Sequence, residues 1–215
     1  MSAARRIGLL SAMCAAAIMF SYAEALVPVP FVPIPAFKIG FANIVILLVL
    51  DLFGAKAAFM TAAVRCAVTS LLFGSLMSGV FSIFGTIAAV VMMTILKHTK
   101  IFGLYGVSVA GAAAHNCGQV VAGCIFYSTA VFAYLPYLMI CSLVSGVLIA
   151  LVTDLVRPAL KKAIDGGKSY GYFNTALLFA CNAIFAGIAL RAFYSVYNQN
   201  LQNGQACAAL SALQP

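Results

Sequence analysis

Carboxylates are nearly absent from this chain. Four Asp and Glu stand against twelve Lys and Arg in 215 residues, and charged residues make up only 7%, where a soluble domain carries about 25%. With 65% hydrophobic residues and a mean hydropathy of +1.11, this is the composition of an integral membrane protein. The scarcity of acids also limits the chemistry. The sequence holds no paired carboxylates, no aspartate-rich motif for magnesium diphosphate, no HExxH and no GxxxxGK[ST] loop. An ATPase or a prenyl synthase cannot be built from these residues alone, and no catalytic residue and no metal site is expected. Seven cysteines (Cys14, Cys66, Cys117, Cys124, Cys141, Cys181 and Cys207) form no CxxC pair and sit mostly in apolar runs, where they act as small core residues. Ten-residue segments of alternating hydropathy are also missing, which excludes a transmembrane barrel.

What is present is a series of long apolar runs. They predict helical spans at 7–26, 37–53, 56–74, 76–97, 103–127, 131–157 and 172–197, most of them about the length needed to cross a hydrocarbon core ~30 Å thick. The expected class is an all-α polytopic membrane helix bundle. The breaks are chemically legible: "PVPFVPIP" (28–35) cannot continue a helix, "FGAK" (53–56) is a tight turn, "KHTKIFG" (97–103) is a basic loop, and "RPALKKAIDGGKSYG" (157–171) is the longest polar link. The net charge of +8 is read through topology rather than as a nucleic-acid footprint. From Arg5 and Arg6, alternate crossings bring Lys56, Lys97, Lys100, Arg157, Lys161, Lys162 and Lys168 to the same side, nine of the twelve cations. That asymmetry predicts a cytoplasmic N-terminus and an extracytoplasmic C-terminus. The opening run followed by "AEA" (23–25) also resembles a cleavable signal peptide, and charge alone does not choose between cleavage and retention.

Three cations are left over: Lys38, Arg65 and Arg191. Lys38 opens the second span and either snorkels to the outer interface or meets a ligand at a helix N-terminus, where backbone N–H groups favour an anion. Arg191 reads as an interfacial anchor. Arg65 lies nine residues from Lys56, roughly 13 Å into the bilayer, too deep to snorkel easily, so it should face the bundle interior with a partner or a ligand. In "GAAAHNCGQ" (111–119), His115 and Gln119 are four apart and share one helix face, with Asn116 beside them. Asn43 reaches a similar depth from the second span. Glu24, the one carboxylate predicted for the outer half, could pair with Lys38 or Arg65 or touch a ligand. Small residues four apart, Ala12 with Ala16 and Gly106 with Ala110 and Ala114, allow close helix approach.

At "KIGFANIVILLVLDLFG", "RCAVTSLLFGSLMS" and "GVSVAGAAAHNCGQ" the chain resembles the Gx transporter family. Those proteins were long labelled heptaprenyl diphosphate synthase component I, and are similar to the S components of energy-coupling-factor vitamin transporters. The resemblance covers about residues 7–160. It implies a six-helix S-component-like transmembrane domain (1–160) with its first helix retained. A linker with one additional transmembrane helix (161–198) and a polar extracytoplasmic tail (199–215) are read from the apolar run and the uncharged end, and lie outside the resemblance. It implies a multi-pass protein of the bacterial cytoplasmic membrane that binds a small-molecule substrate in the outer half of the bundle, under "PVPFVPIP" as lid. Its membrane-lipid surroundings would include the coupling partners: Ala12 and Ala16 would face the energy-coupling-factor transmembrane subunit, with its ATPase subunits, or the chain would serve Rnf-type flavin-transfer machinery. The implied cargo is a flavin (FAD, FMN or riboflavin), with no cofactor required. Lys38 and Arg65 would neutralise phosphate, Asn43, His115, Asn116, Gln119 and Glu24 would line the site, and Phe31, Phe37, Phe41 or Tyr127 would pack on a ring. The alternatives are an isoprenoid or quinone-precursor cargo, or a non-transporting subunit of a redox or prenyl-transfer complex.

Overall fold

The computed structural model describes residues 3–26, 40–73 and 76–165. The proline-rich segment 28–35, Lys38, Arg191, the predicted span 172–197 and the tail lie outside the described residues. Those described are all-helical: α1 (Ala3–Leu26), α2 (Asn43–Phe53), α3 (Ala55–Phe73), α4 (Leu76–Thr99), α5 (Leu104–Phe126), a 3-10 helix (Thr129–Tyr134) and α6 (Leu135–Asp165). Among the described residues, four stretches are long and apolar enough to cross a membrane: Arg5–Glu24, Met77–Thr99, Leu104–Phe126 and Thr129–Lys162.

The polar–apolar distribution is that of a membrane protein. Large apolar side chains such as Leu71, Met60, Leu155 and Ile140 point outward, while Glu24, Asn43, Arg65, His115, Asn116 and Gln119 are buried. Since lipid tails are as apolar as leucine, what holds the helices together is close packing and interhelical hydrogen bonding.

α2 is the central element. Asn43 through Leu50 are all buried, and the helix contacts α1, α3, α4 and α6. A helix that is apolar all round, as "IVILLVL" is, has to be enclosed on every side. At 11 residues it is about 16 Å long, half a membrane thickness. It starts at Asn43, later than the predicted 37, because Gly40 has a φ of +93°, outside the helical region and open mainly to glycine. It stops at Gly54, φ +89°, whose N–H donates to the Leu50 carbonyl at 3.2 Å.

One end of the bundle carries the charges. Asp51 accepts from Lys97 of α4 at 3.1 Å and from Arg157 of α6 at 2.7 Å, and Lys97 also donates to the Leu50 carbonyl at 2.8 Å. Two cations thus sit at the negative end of the α2 dipole. The predicted polar link from Arg157 turns out to be helical up to Asp165, with Pro158 inside α6. The Asp51 pair and the burial of Leu160 hold the helix on beyond the proline.

α4 and α5 share the most extensive helix–helix contact. A Cβ on Gly118 would lie 2.5 Å from the Phe84 carbonyl oxygen, so only glycine permits that approach. The close contacts of α5 fall at Gly111, Gly118 and Gly123, whereas Gly106 and Ala110 are half-buried.

Candidate functional site

At the other end of α2, polar side chains from α1 to α5 meet in a closed belt. It begins on α1, where Met13, Ala17, Ser21 and Glu24 form the buried face. The Glu24 carboxylate accepts the backbone N–H of Gly40, and that of Phe41 at 2.9 Å. These groups belong to the turn that immediately precedes α2, so the acid of one helix fixes the entry to the next and lies near its positive end. None of the partners left open for Glu24 by the sequence is this backbone turn.

Ser21, one turn earlier on α1, leads to α3. Arg65 Nη1 donates to the Ser21 hydroxyl at 2.9 Å, while Nη2 donates to the Thr86 hydroxyl of α4 and to Cys66 Sγ at 3.5 Å. Arg65 is 2% exposed, and its Nε has no hydrogen-bond partner. Cys66 in turn contacts Ser82 of α4 at 3.8 Å.

Thr86 follows Gly85, and Gly85 leads to α5. A Cβ there would stand 2.8 Å from His115 Cε1 and 2.9 Å from Nδ1, so this edge of the imidazole lies against bare backbone. Its other side meets Gly40, where a Cβ would come within 3.3 Å of the ring and 2.9 Å of the Asn43 amide nitrogen. His115 Nε2 and Gln119 Nε2 are 2.7 Å apart; with the amide donating, Nε2 accepts and the proton of a neutral ring sits on Nδ1. Asn43 is 2% exposed, yet neither its amide nitrogen nor its oxygen has a hydrogen-bond partner. A buried primary amide with both ends unmatched costs about 1–3 kcal/mol per group. The belt closes through Gly40 back to Glu24.

Of the residues singled out from the sequence, the structure brings together Glu24, Asn43, Arg65, His115 and Gln119. Asn116 turns away: its amide donates to the Leu138 carbonyl of α6 at 2.9 Å and ties α5 to α6. Tyr127 is half exposed and packs on Phe81 with the ring centroids 6.0 Å apart and the planes tilted by 46°. Ala12 faces outward, and Ala16 is half-buried against the core. Sequence reasoning missed Ser21, Cys66, Ser82, Gly85 and Thr86. Two signals were available: Ser82 and Thr86 are four apart, as His115 and Gln119 are, and Ser21 precedes Glu24 by three on the same face.

A helical bundle with lipid-facing apolar residues and an enclosed belt of one guanidinium, one carboxylate, an imidazole and two amides defines a membrane-type protein with a buried polar site. The model of a family described as heptaprenyl diphosphate synthase component I matches residues 13–156, more than half of the chain, and the chain belongs to that family. No curated protein and no solved structure matches it.

Proposed function

We propose that this chain is a membrane substrate-binding and translocation protein, resembling an S component of the energy-coupling-factor type, whose cargo is a flavin or a similar vitamin-derived anion. It is not itself an enzyme. It sits in the bacterial cytoplasmic membrane with its N-terminus inside, a reading supported by the charges gathered around Asp51. Energy comes from elsewhere: coupling subunits or Rnf-type flavin-transfer machinery. The observation that carries the reading is Asn43, a buried amide with donor and acceptor both unmatched beside His115, in a belt where Arg65 keeps a free Nε–H. The imide edge of an isoalloxazine ring offers adjacent C=O and N–H groups that complement such an amide, and Arg65 suits a phosphate or a ring carbonyl. Exposure of the enclosed belt requires rigid-body or lid motion, as in transporters with a site near the midplane. The test is calorimetry on purified protein with riboflavin, FMN and FAD, together with the absorption spectrum of the preparation. Tight binding of one flavin, weakened in Asn43→Leu, is expected; no bound flavin and no heat with any of the three overturns the cargo.

One observation favours a second reading, an isoprenoid or quinone precursor. An apolar groove of about 300 Å³ between α3 and α4, lined by Phe59, Ala62, Ile83 and Ile87, reaches Cys66 and Thr86, the residues that hold Arg65. It would let a hydrophobic tail approach the belt from the bilayer, in keeping with the name of the family. Native mass spectrometry of the co-purified species separates the two cargoes.

A further inference from the structure

Arg6 of α1 donates from Nη2 to the Phe53 carbonyl at 3.5 Å. That carbonyl ends α2, and Lys56 lies three residues on, in the first turn of α3. Two exposed cations are gathered at one corner although they repel each other. The carboxylate nearest in sequence, Asp51, is engaged by Lys97 and Arg157.

Between α1 and α3, starting from this corner, runs a groove of about 380 Å³. Both helices lead away from the charged end, so Arg6 is level with Lys56, Leu10 and Ser11 with Met60 and Thr61, and Cys14 with Val64; none of the lining residues is acidic. The Cys14 thiol contacts the Thr61 carbonyl at 4.0 Å. From the cations to Val64 the groove descends eight residues, about 12 Å. It is basic at the membrane surface, carries hydroxyls just below, and is apolar further down.

We propose that this groove holds one anionic phospholipid, its phosphate on Arg6 and Lys56 and an acyl chain along Leu10, Met60 and Val64. The charge argues for the headgroup: each basic residue near a membrane surface favours an anionic lipid about fivefold. The apolar floor argues for a chain still attached to it, which a free phosphate lacks. The site is separate from the buried belt and does not depend on the cargo.

The chain contains no tryptophan, so Met60→Trp, at a rim position 72% exposed, supplies a single tryptophan in the groove, excited selectively over the tyrosines. Leu71→Trp, 86% exposed toward the other end of α3, supplies a lipid-facing control. Each variant is reconstituted in mixtures of phosphatidylglycerol and phosphatidylcholine in which one lipid carries dibrominated, quenching acyl chains. The expected result is that phosphatidylglycerol outcompetes phosphatidylcholine about tenfold at Met60→Trp and not at Leu71→Trp. The preference should vanish on adding Arg6→Gln with Lys56→Gln, persist with Lys161→Gln and Lys162→Gln, and vanish with Ser11→Leu, which fills the groove and leaves both cations in place. Equal quenching by the two lipids at Met60→Trp overturns the proposal. So does a preference that survives loss of Arg6 and Lys56 or matches that at Leu71→Trp, or one relieved by a prenyl diphosphate and not by unlabelled phosphatidylglycerol.

Discussion

The two ends of α2 treat charge in opposite ways. At its C-terminal end, Asp51 is held by Lys97 and Arg157 in half-exposed pairs, and the last carbonyls of the helix are met as well. At its N-terminal end, the belt around Asn43 and Arg65 is almost fully buried and still leaves an amide and an Nε–H unmatched. One end spends its polar groups on joining helices. The other keeps them free where leaving them unmatched is most costly. Unsatisfied groups in a low-dielectric interior are therefore the sharper functional signal, and the satisfied ion pairs are the sharper structural one.

Substitutions should separate the two ends. Arg65→Ala should produce the largest change, a loss of about hundredfold in flavin affinity by calorimetry, because hydrogen bonds to charged groups contribute about 1.5–3 kcal/mol each. Asp51→Ala should leave that affinity within twofold and lower the unfolding free energy by about 1–2 kcal/mol, read as a fall in Tm in detergent. The effect stays this small because Lys97 and Arg157 are 37% and 44% exposed and solvent screens their attraction to Asp51. Asn43→Leu should do the reverse, raising stability by about 1 kcal/mol, since two buried unmatched polar atoms disappear, while weakening cargo binding about fivefold. A substitution that stabilises the fold and impairs binding would mark Asn43 as a binding residue, whereas a loss of both would show that its amide serves the fold. Lys97→Gln should have the smallest effect, about 0.5 kcal/mol of stability and no change in binding, because Arg157 remains on Asp51.

Helices with one dominant environment were legible in the sequence. α4 and α5 were predicted at 76–97 and 103–127 and found at Leu76–Thr99 and Leu104–Phe126, since their long apolar runs have clear ends. The start of α2 and the end of α6 were not legible, because both depend on residues far away in the chain. Glu24 fixes the turn before Asn43, and Asp51 and the core contacts hold α6 past Pro158. The belt shows the same division. His115 and Gln119 could be paired from their spacing, but Asn116, one residue and about 100° further round the helix, faces α6. Thr86 carried a signal in its spacing from Ser82, but Gly85 looked like an ordinary member of an apolar run until α5 packed against it.

The sequence alone determined that this chain is a helical membrane protein, because hydropathy and the shortage of charge act on each segment independently of its neighbours. It also singled out Arg65 and His115 as polar groups that needed an explanation. Only the tertiary structure decided that the two lie against the same Gly85–Thr86 step, that Glu24 is held by the backbone before α2, and that Asn43 is buried without a partner. Those facts depend on how close helices distant in sequence come to one another, and that distance is set by packing at glycines such as Gly85 and Gly118, which no single segment encodes.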